Sequence, residues 1–378
     1  MKSGSKKKDH KKTTKRLYLI PILSKALDII ELLQTEKSPM GLEAIYQRTR
    51  FSKTSVYRIL QTLVHRGYVA RTSDGLYRLV SLPMKMRFGF ASQSAEMPFS
   101  EAVTVSLRAA AAASGVDLQV LDNKYDAATA LKNAEDFVRA QVDLVIEFQI
   151  DRHIAPVIAD KIAASGIPLI AIDIPHPHAT FFGVDNYRVG FDAGELLADH
   201  ALNCWNGKAS WVLGLDLEEA GTLVQSRITG AFDGVRSKLP DLPVESFVRI
   251  DGRGMRDKSH RVVMDFLSRH PRDRNILIAA ATDTSALGAL DAVKESRRAK
   301  HVAIIGQDCI PEVAEQMLLP GSPIIGSVSH EAQNYGPRII EIGLSLLRGR
   351  TVPPYNYVSH KLITPEMLRA TPNGHSSL

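Results

Sequence analysis

Residues 52–67 carry the clearest periodic pattern in the chain. Val56, Ile59, Leu60, Leu63 and Val64 fall at i, i+3, i+4, i+7 and i+8, one apolar stripe along a helix. Ser52 is placed to cap the first turn, and Gly67 to end the helix in the left-handed conformation. The opposite face holds Lys53, Thr54, Ser55, Tyr57, Arg58, Gln61 and Thr62, with donors and cations gathered toward the amino-terminal end. Upstream, Ala26, Leu27, Ile30 and Leu33 predict a helix over 23–34. After the Ser38-Pro39 turn, Leu42, Ile45 and Tyr46 predict a short helix over 41–48. Downstream, residues 68–71 and 76–79 predict two strands joined through Ser73-Asp74-Gly75. Three helices and a hairpin make a small α+β unit over residues 17–82, a helix-turn-helix followed by a two-stranded wing.

The pattern changes at Met86. Short apolar runs predict strands at 87–91, 118–121, 144–146 and 168–173, alternating with amphipathic helices at 99–113, 127–140 and 154–165. A second series predicts helices at 189–200, 223–238, 258–269 and 284–296, and strands at 210–213, 244–250, 276–280 and 302–306. Uniformly apolar strands between helices imply a parallel sheet covered on both faces. The units are too many for one ordinary doubly wound domain, so two lobes are expected over 88–365. The junction at 83–87 is short, and Pro83 discourages a continuous helix there. Residues 366–378 are expected to form a tail.

Charge divides the chain the same way. Residues 1–16 hold eight Lys or Arg against one Asp, residues 17–82 nine against five, and the rest 30 against 35. The positive excess lies wholly in the first 82 residues, which predicts a polyanionic partner at that end only. Residues 1–16, rich in Lys and poor in apolar residues, read as a disordered basic tail adding sequence-blind attraction to phosphates. A helix entering a DNA major groove presents its amino-terminal end to bases and phosphates. Lys53, Thr54, Ser55, Tyr57 and Arg58 are therefore expected to face double-stranded DNA, with Arg71 and Arg78 reaching phosphates from the wing.

Three stretches carry a resemblance in order and spacing: residues 24–33, Lys53-Thr54-Ser55-Val56-Tyr57-Arg58-Ile59-Leu60, and Leu63-Val64-His65-Arg66-Gly67-Tyr68. They resemble the amino-terminal domain of IclR-type transcription regulators, which implies the same DNA-facing residues. The remainder resembles the periplasmic sugar-binding-protein superfamily in the form fused to LacI-type regulators. The residues carrying this are Phe88-Gly89-Phe90 with Met97-Pro98-Phe99; Gly183-Val184-Asp185-Asn186 with Gly190; Arg227 with Gly230; Thr282-Asp283 with Ala286-Leu287-Gly288-Ala289; and Ile305-Gly306-Gln307-Asp308. The fold class expected is thus a winged helix-turn-helix followed by an α/β, two-lobed, periplasmic-binding-protein-like domain.

Ligands in open α/β sheets bind past the carboxyl ends of strands. Those ends are Ser92 to Phe99, Phe148 to Asp151, Asp173, Thr282-Asp283 and Asp308. By resemblance, Phe99 stacks on the ligand, and Asp173, Arg227 and Asp308 hydrogen-bond it. With Asp283 and His330 these make the expected ligand-contact set. Asp185 and Asn186 read either as the crossover between lobes or as caps of the next helix. Sugar receptors of this type often have Asn where Met97 stands, Phe at Ser100, Arg at Ile174, Asn at Thr282 and a polar amide at His330. These departures leave the identity of the ligand open.

Catalytic signatures are lacking: no G-x-S-x-G, Walker loop, H-E-x-x-H or full G-x-G-x-x-G occurs. Cys204 and Cys309 lie in different contexts and predict neither a disulfide framework nor a zinc site. His176-Pro177-His178 lacks partner ligands for a metal. No cofactor is expected. No apolar run approaches the about 18 residues of a membrane span, and no secretory signal follows the basic start. The sequence therefore predicts a cytoplasmic, homodimeric regulator that binds a DNA operator and senses a small polar metabolite of the sugar class. The alternative is a solute-binding receptor of a sugar transport system without a DNA-binding role.

Overall fold

The computed structural model describes residues 20–36, 38–79 and 86–370. The expected basic tail, most of the junction and residues 371–378 lie outside them. The chain divides into two compact units, Met1–Met84 and Lys85–Leu378.

The first unit contains α1 (Pro21–Thr35), α2 (Leu42–Thr49), α3 (Lys53–His65) and the antiparallel pair β1 (Val69–Arg71) and β2 (Tyr77–Leu79). Ser52 caps α3, its hydroxyl accepting from the Ser55 amide at 3.3 Å. Gly67 takes φ 77°, and the Tyr68 amide donates back to the Leu63 carbonyl at 2.9 Å. The stripe read from the sequence is the core: Val56, Ile59, Leu60 and Leu63 pack with Ile29, Leu33, Met40, Ile45, Val69 and Tyr77. At roughly 1.5–3 kcal/mol per fully buried large apolar side chain, these ten residues supply the drive that folds the unit.

The second unit opens with β3 (Arg87–Ser92), α4 (Pro98–Ala113), β4 (Asp117–Asp122), α5 (Ala127–Ala140), β5 (Leu144–Glu147), α6 (Ala155–Ala164), β6 (Leu169–Ile172) and β7 (Thr180–Gly183). The chain then enters a second lobe: α7 (Asn186–Trp205), β8 (Trp211–Asp216), α8 (Thr222–Lys238), β9 (Phe247–Asp251), α9 (Arg256–Arg269), β10 (Ile276–Ala280), α10 (Asp283–Glu295), β11 (Val302–Gln307), α11 (Pro311–Leu318) and β12 (Ile324–Ser329). It returns for α12 (Tyr335–Leu347) and β13 (Tyr355–Tyr357), and closes with β14 (Lys361–Ile363) and α13 (Pro365–Ala370). The first sheet runs β13-β7-β6-β5-β3-β4 and the second β14-β12-β11-β10-β8-β9. All pairings are parallel except β12 with β14. The chain thus passes between lobes three times.

Helices α11 and α12 and strand β12 lie beyond the last element expected, the strand over 302–306. Three further differences have physical causes. The strand expected from residue 244 begins only at Phe247, because Val244–Ser246 form a 3-10 turn after Pro243. β7, β13 and β14 are three or four residues long, too short to display a period. The tail expected from residue 366 starts as α13, whose Leu368 packs against the core of the second lobe.

Helices α7 and α8 approach so closely that side chains cannot fit between them. A Cβ at Gly190 would strike the Arg227 carbonyl oxygen, and one at Gly194 the Ala231 carbonyl oxygen. From the other side, Gly230 meets Tyr187 and Gly234 meets Phe191 in the same way. The four-residue spacing places one glycine per turn along each contact face.

Candidate functional site: a cleft between two lobes

The cleft is built from strand ends. Asp173 follows β6 and Asp308 follows β11; Phe99 and Arg227 come from α4 and α8. Together with Gln93, Met97, Tyr125, Phe148, Ile174 and Thr282 they line a cleft. The lobes also touch beyond it. The Tyr125 hydroxyl donates to the Arg253 carbonyl at 3.3 Å, and the Arg152 amide to the Glu219 carbonyl at 3.0 Å.

Both cleft carboxylates sit on strained backbone. Asp173 has φ 58° at the centre of a γ-turn, closed by the Ile174 amide on the Ile172 carbonyl at 2.6 Å. Asp308 has φ 107° and Cys309 φ 57°. Non-glycine residues held at such angles cost about 1–3 kcal/mol each, and neighbouring structure must hold them. The Asp308 amide donates to the Val328 carbonyl at 2.8 Å, and the Cys309 amide to Ser327 Oγ at 3.0 Å. The strain turns the two carboxyl groups off the strand axes and into the cleft. Gly183 makes the room, since a Cβ there would lie 2.5 Å from Asp173 Oδ1.

Arg227 is buried and anchored. Its Nε donates to Asn186 Oδ1 at 2.6 Å and its Nη1 to the Ala281 carbonyl at 2.9 Å. The close contact of α7 with α8 is what brings Asn186 within reach. Of the two readings of residues 185–186, Asp185 caps α7 by accepting from the Arg188 amide at 3.1 Å, while Asn186 holds the guanidinium. Burial raises Asp173 to about 6, against the opposing pull of Arg227 and the Tyr335 hydroxyl bond. That hydroxyl lies 3.3 Å from Asp173 Oδ1. Phe99 meets Phe148, His330 and Tyr335 edge to face, with centroids 6.3, 5.6 and 5.6 Å away. The arrangement offers a carboxylate, a guanidinium, amides and hydroxyls among aromatic and aliphatic walls. That chemistry fits a small molecule with both hydroxyl groups and apolar C–H faces.

Of the six residues expected to touch a ligand, Phe99, Asp173, Arg227 and Asp308 line the cleft. Asp283 and His330 do not. Asp283 is wholly buried behind the wall, accepting from the Ile310 amide at 2.8 Å and Ser327 Oγ at 2.7 Å. It opens α10, and Thr282 before it caps that helix, so the two side chains diverge. His330 is equally buried, its Nε2 3.0 Å from Gln307 Oε1. Reading strand ends missed Tyr125, Leu217 and Ile310 in the lining. Each closely follows a strand (β4, β8, β11), so the same rule applied to every strand would have found them. His176 is also structural: its Nδ1 lies 2.8 Å from the Ile174 carbonyl, and burial lowers it to about 4.

On the first unit, Lys53, Thr54, Tyr57, Arg58, Arg71 and Arg78 are exposed. Ser55 is half-buried, where its hydroxyl accepts from Ser52 Oγ at 2.8 Å. Lys53 pairs with Glu43 at 2.5 Å, and the Arg71 guanidinium lies 5.8 Å from the centre of the Tyr77 ring. Apart from Ser55, these cations and donors lie exposed on α3 and on the wing.

Residues 88–351 match the family described as the periplasmic binding protein domain. The chain belongs to that family. Residues 22–73 match the IclR helix-turn-helix domain, so a helix-turn-helix precedes the periplasmic binding protein domain on one chain. A protein of Rhizobium meliloti that bears the name rhizopine-binding protein is 24% identical over 258 residues, 66% of this chain and 80% of that protein. Solved structures share the fold of the second unit. One is a transporter solute-binding protein of Actinobacillus succinogenes with bound D-allose (TM-score 0.65, 19% identity, 75% of this chain and 99% of that one). Another is a Mycobacterium smegmatis protein in complex with β-D-fucofuranose (TM-score 0.66, 22% identity, 76% and 94%). A third, from Bacillus halodurans, holds myo-inositol (TM-score 0.64, 19% identity, 76% and 96%). Among the described residues, no helix of this periplasmic-binding-protein member is long and apolar enough to cross a membrane.

Proposed function

We propose that this chain is a cytoplasmic, DNA-binding transcription regulator whose periplasmic-binding-protein domain senses a sugar or polyol. The observation that carries the reading is the pairing of two units on one chain. One presents an exposed polar face on α3; the other has a cleft with Asp173, Arg227 and Asp308 on its wall. The sugars and polyols held by structures of the same fold support the ligand class. Lys53, Thr54, Tyr57 and Arg58 contact bases and phosphates, Ser55 shapes the helix start, and Arg71 and Arg78 grip phosphates from the wing. Phe99, Asp173, Arg227 and Asp308 contact the ligand. The protein works as a homodimer on a two-fold operator. The apolar outer side of α1, with Ile22, Leu23 and Leu27 exposed, supports pairing of two readers. Ligand closes the lobes, and a coupling of about 1–3 kcal/mol to operator affinity is enough to switch transcription.

The test is retardation of DNA fragments by the full chain and by a chain lacking residues 1–82, with and without sugars and polyols that raise its melting temperature. The full chain is expected to retard DNA in a ligand-dependent manner, and the shortened chain to bind ligand alone. Ligand binding with no retardation by the full chain would establish a solute receptor instead.

A further inference from the structure

His330 stands behind Asp308 of the cleft wall, and the two face each other in an arrangement that needs a proton. Gln307 fixes the histidine tautomer. Its Nε2 donates to the Val189 carbonyl at 3.4 Å, so its Oε1 is the atom turned to His330 Nε2 at 3.0 Å. That ring nitrogen must carry the hydrogen, which leaves Nδ1 with a bare lone pair. Nδ1 is buried, has no hydrogen bond, and lies 3.4 Å from Asp308 Oδ1. A carboxylate oxygen and an imidazole lone pair opposed in a dry interior repel; one proton between them turns repulsion into a hydrogen bond.

We propose that Asp308 and His330 hold one proton between them, and that this pair selects an uncharged ligand by leaving Asp173 and Arg227 as the opposed charges of the cleft. The proposal rests on the reading of the cleft as the ligand site.

The groups packed around Asp308 agree with placing the proton there. Asp283, on α10, receives a donor on each oxygen; burial raises it to about 7 against those bonds, so above that pH it stands as a carboxylate. Asp308 has the Asp283 backbone amide facing it and, on the other side, the acceptor Nδ1. Arg227 of α8 is the cation that acts on Asp308, and it also answers Asp173 after β6. Tyr335 of α12 keeps its proton, with burial and then Asp173 raising it well above its ordinary value. Burial first, and the Asp283 carboxylate next, push Asp308 well above the usual carboxylate range, while Arg227 opposes. Burial, Arg227 and His360 pull His330 well below its ordinary value. Cys309 beside them is pushed up to about 12 and stays a thiol. Burial of both groups and the bare Nδ1 facing Asp308 Oδ1 favour the neutral acid donating to the neutral imidazole, against the pull of Arg227 and the Asp283 amide on Asp308. An amide at position 330 would offer its own donor and leave Asp308 ionised, so the histidine is what sets the charge.

The direct test is carbon and nitrogen NMR of the full chain at pH 7.5, where Asp173 is ionised, labelled in Asp and His, with Asp308→Asn and His330→Gln assigning the two signals. Asp308 Cγ is expected in the protonated-carboxyl range, and His330 with hydrogen on Nε2 and a hydrogen-bonded Nδ1. An ionised Asp308, or the signal of a bare Nδ1, would overturn the pair. Either variant alone suffices for assignment if the other fails to fold. A second arm compares melting-temperature shifts by aldohexoses and inositols with those by D-glucosamine and D-glucuronate at the same pH. Stabilisation by neutral compounds alone is expected. Preference for the amine or the acid overturns the selection. Stabilisation by none of them, with the NMR result intact, leaves the pair standing and removes the sugar reading of the cleft.

Discussion

At the scale of single residues, the second unit stores several acids in water-poor places. Glu147 ends β5 fully buried; its Oε1 accepts from Asn123 Nδ2 at 2.8 Å and its Oε2 has no partner. Burial raises it to about 8, against the Asn123 bond. The native state therefore binds this proton more tightly than the unfolded chain. The contribution is fully present below the ordinary Glu value, near 4.3, and is lost as pH rises through about 8. Glu147→Gln is expected to melt less steeply with pH than the parent between pH 5 and 8.5. At the upper end it should be the more stable by an amount on the order of a few kcal/mol. Equal slopes for the two proteins would show that Glu147 ionises normally. The same scale marks the limit of strand-end reasoning. It located Asp173, Asp283 and Asp308 alike, but it locates backbone, not side-chain direction. Asp283 turns inward because Thr282 takes the capping position before it.

At the scale of elements, the contact of α7 with α8 carries the site. Glycine inside a helix ordinarily costs about 1 kcal/mol relative to alanine, so Gly→Ala should stabilise. At Gly194 the added Cβ meets the Ala231 carbonyl oxygen of the neighbouring helix. Gly194→Ala is expected to reverse the sign and lose about 1–3 kcal/mol, read as a lower urea midpoint. A rise in the midpoint would mean that the helices part at no cost. The helices up to α10 were legible, α5 to the residue, because 10–20 residues sample several turns of a 3.6 period; α11 and α12 were not expected. Ser52 and Gly67 were legible as α3's ends because caps depend on local side-chain chemistry and backbone sign. β7, β13 and β14 were not, since three or four residues carry no period.

At the scale of the whole second unit, the question is what holds the lobes together. The three crossings set a hinge, and the contacts of Tyr125 with Arg253 and Arg152 with Glu219 lie across the cleft from one lobe to the other. A closed form favoured by few hydrogen bonds is easily shifted by a ligand. Tyr125→Phe removes one of them while keeping the ring on the wall. It is expected to weaken binding of a stabilising sugar or polyol a few-fold, about 0.5–1.5 kcal/mol, in a calorimetric titration. Unchanged affinity would assign the closing energy to the ligand's own contacts.

The sequence by itself determined the kinds of elements and their order through residue 306, the faces they bury, the ends of α3 and the concentration of positive charge in the first 82 residues. These follow from local steric periodicity and from composition, which need no knowledge of distant neighbours. Only the tertiary structure decided that α12 returns to the first lobe, that Asn186 grips Arg227, and that His330 stands behind Asp308 rather than beside a ligand. Those pairings join residues up to hundreds of positions apart. They are set by how close two helices pack and which way a strained turn points, quantities that no local pattern encodes.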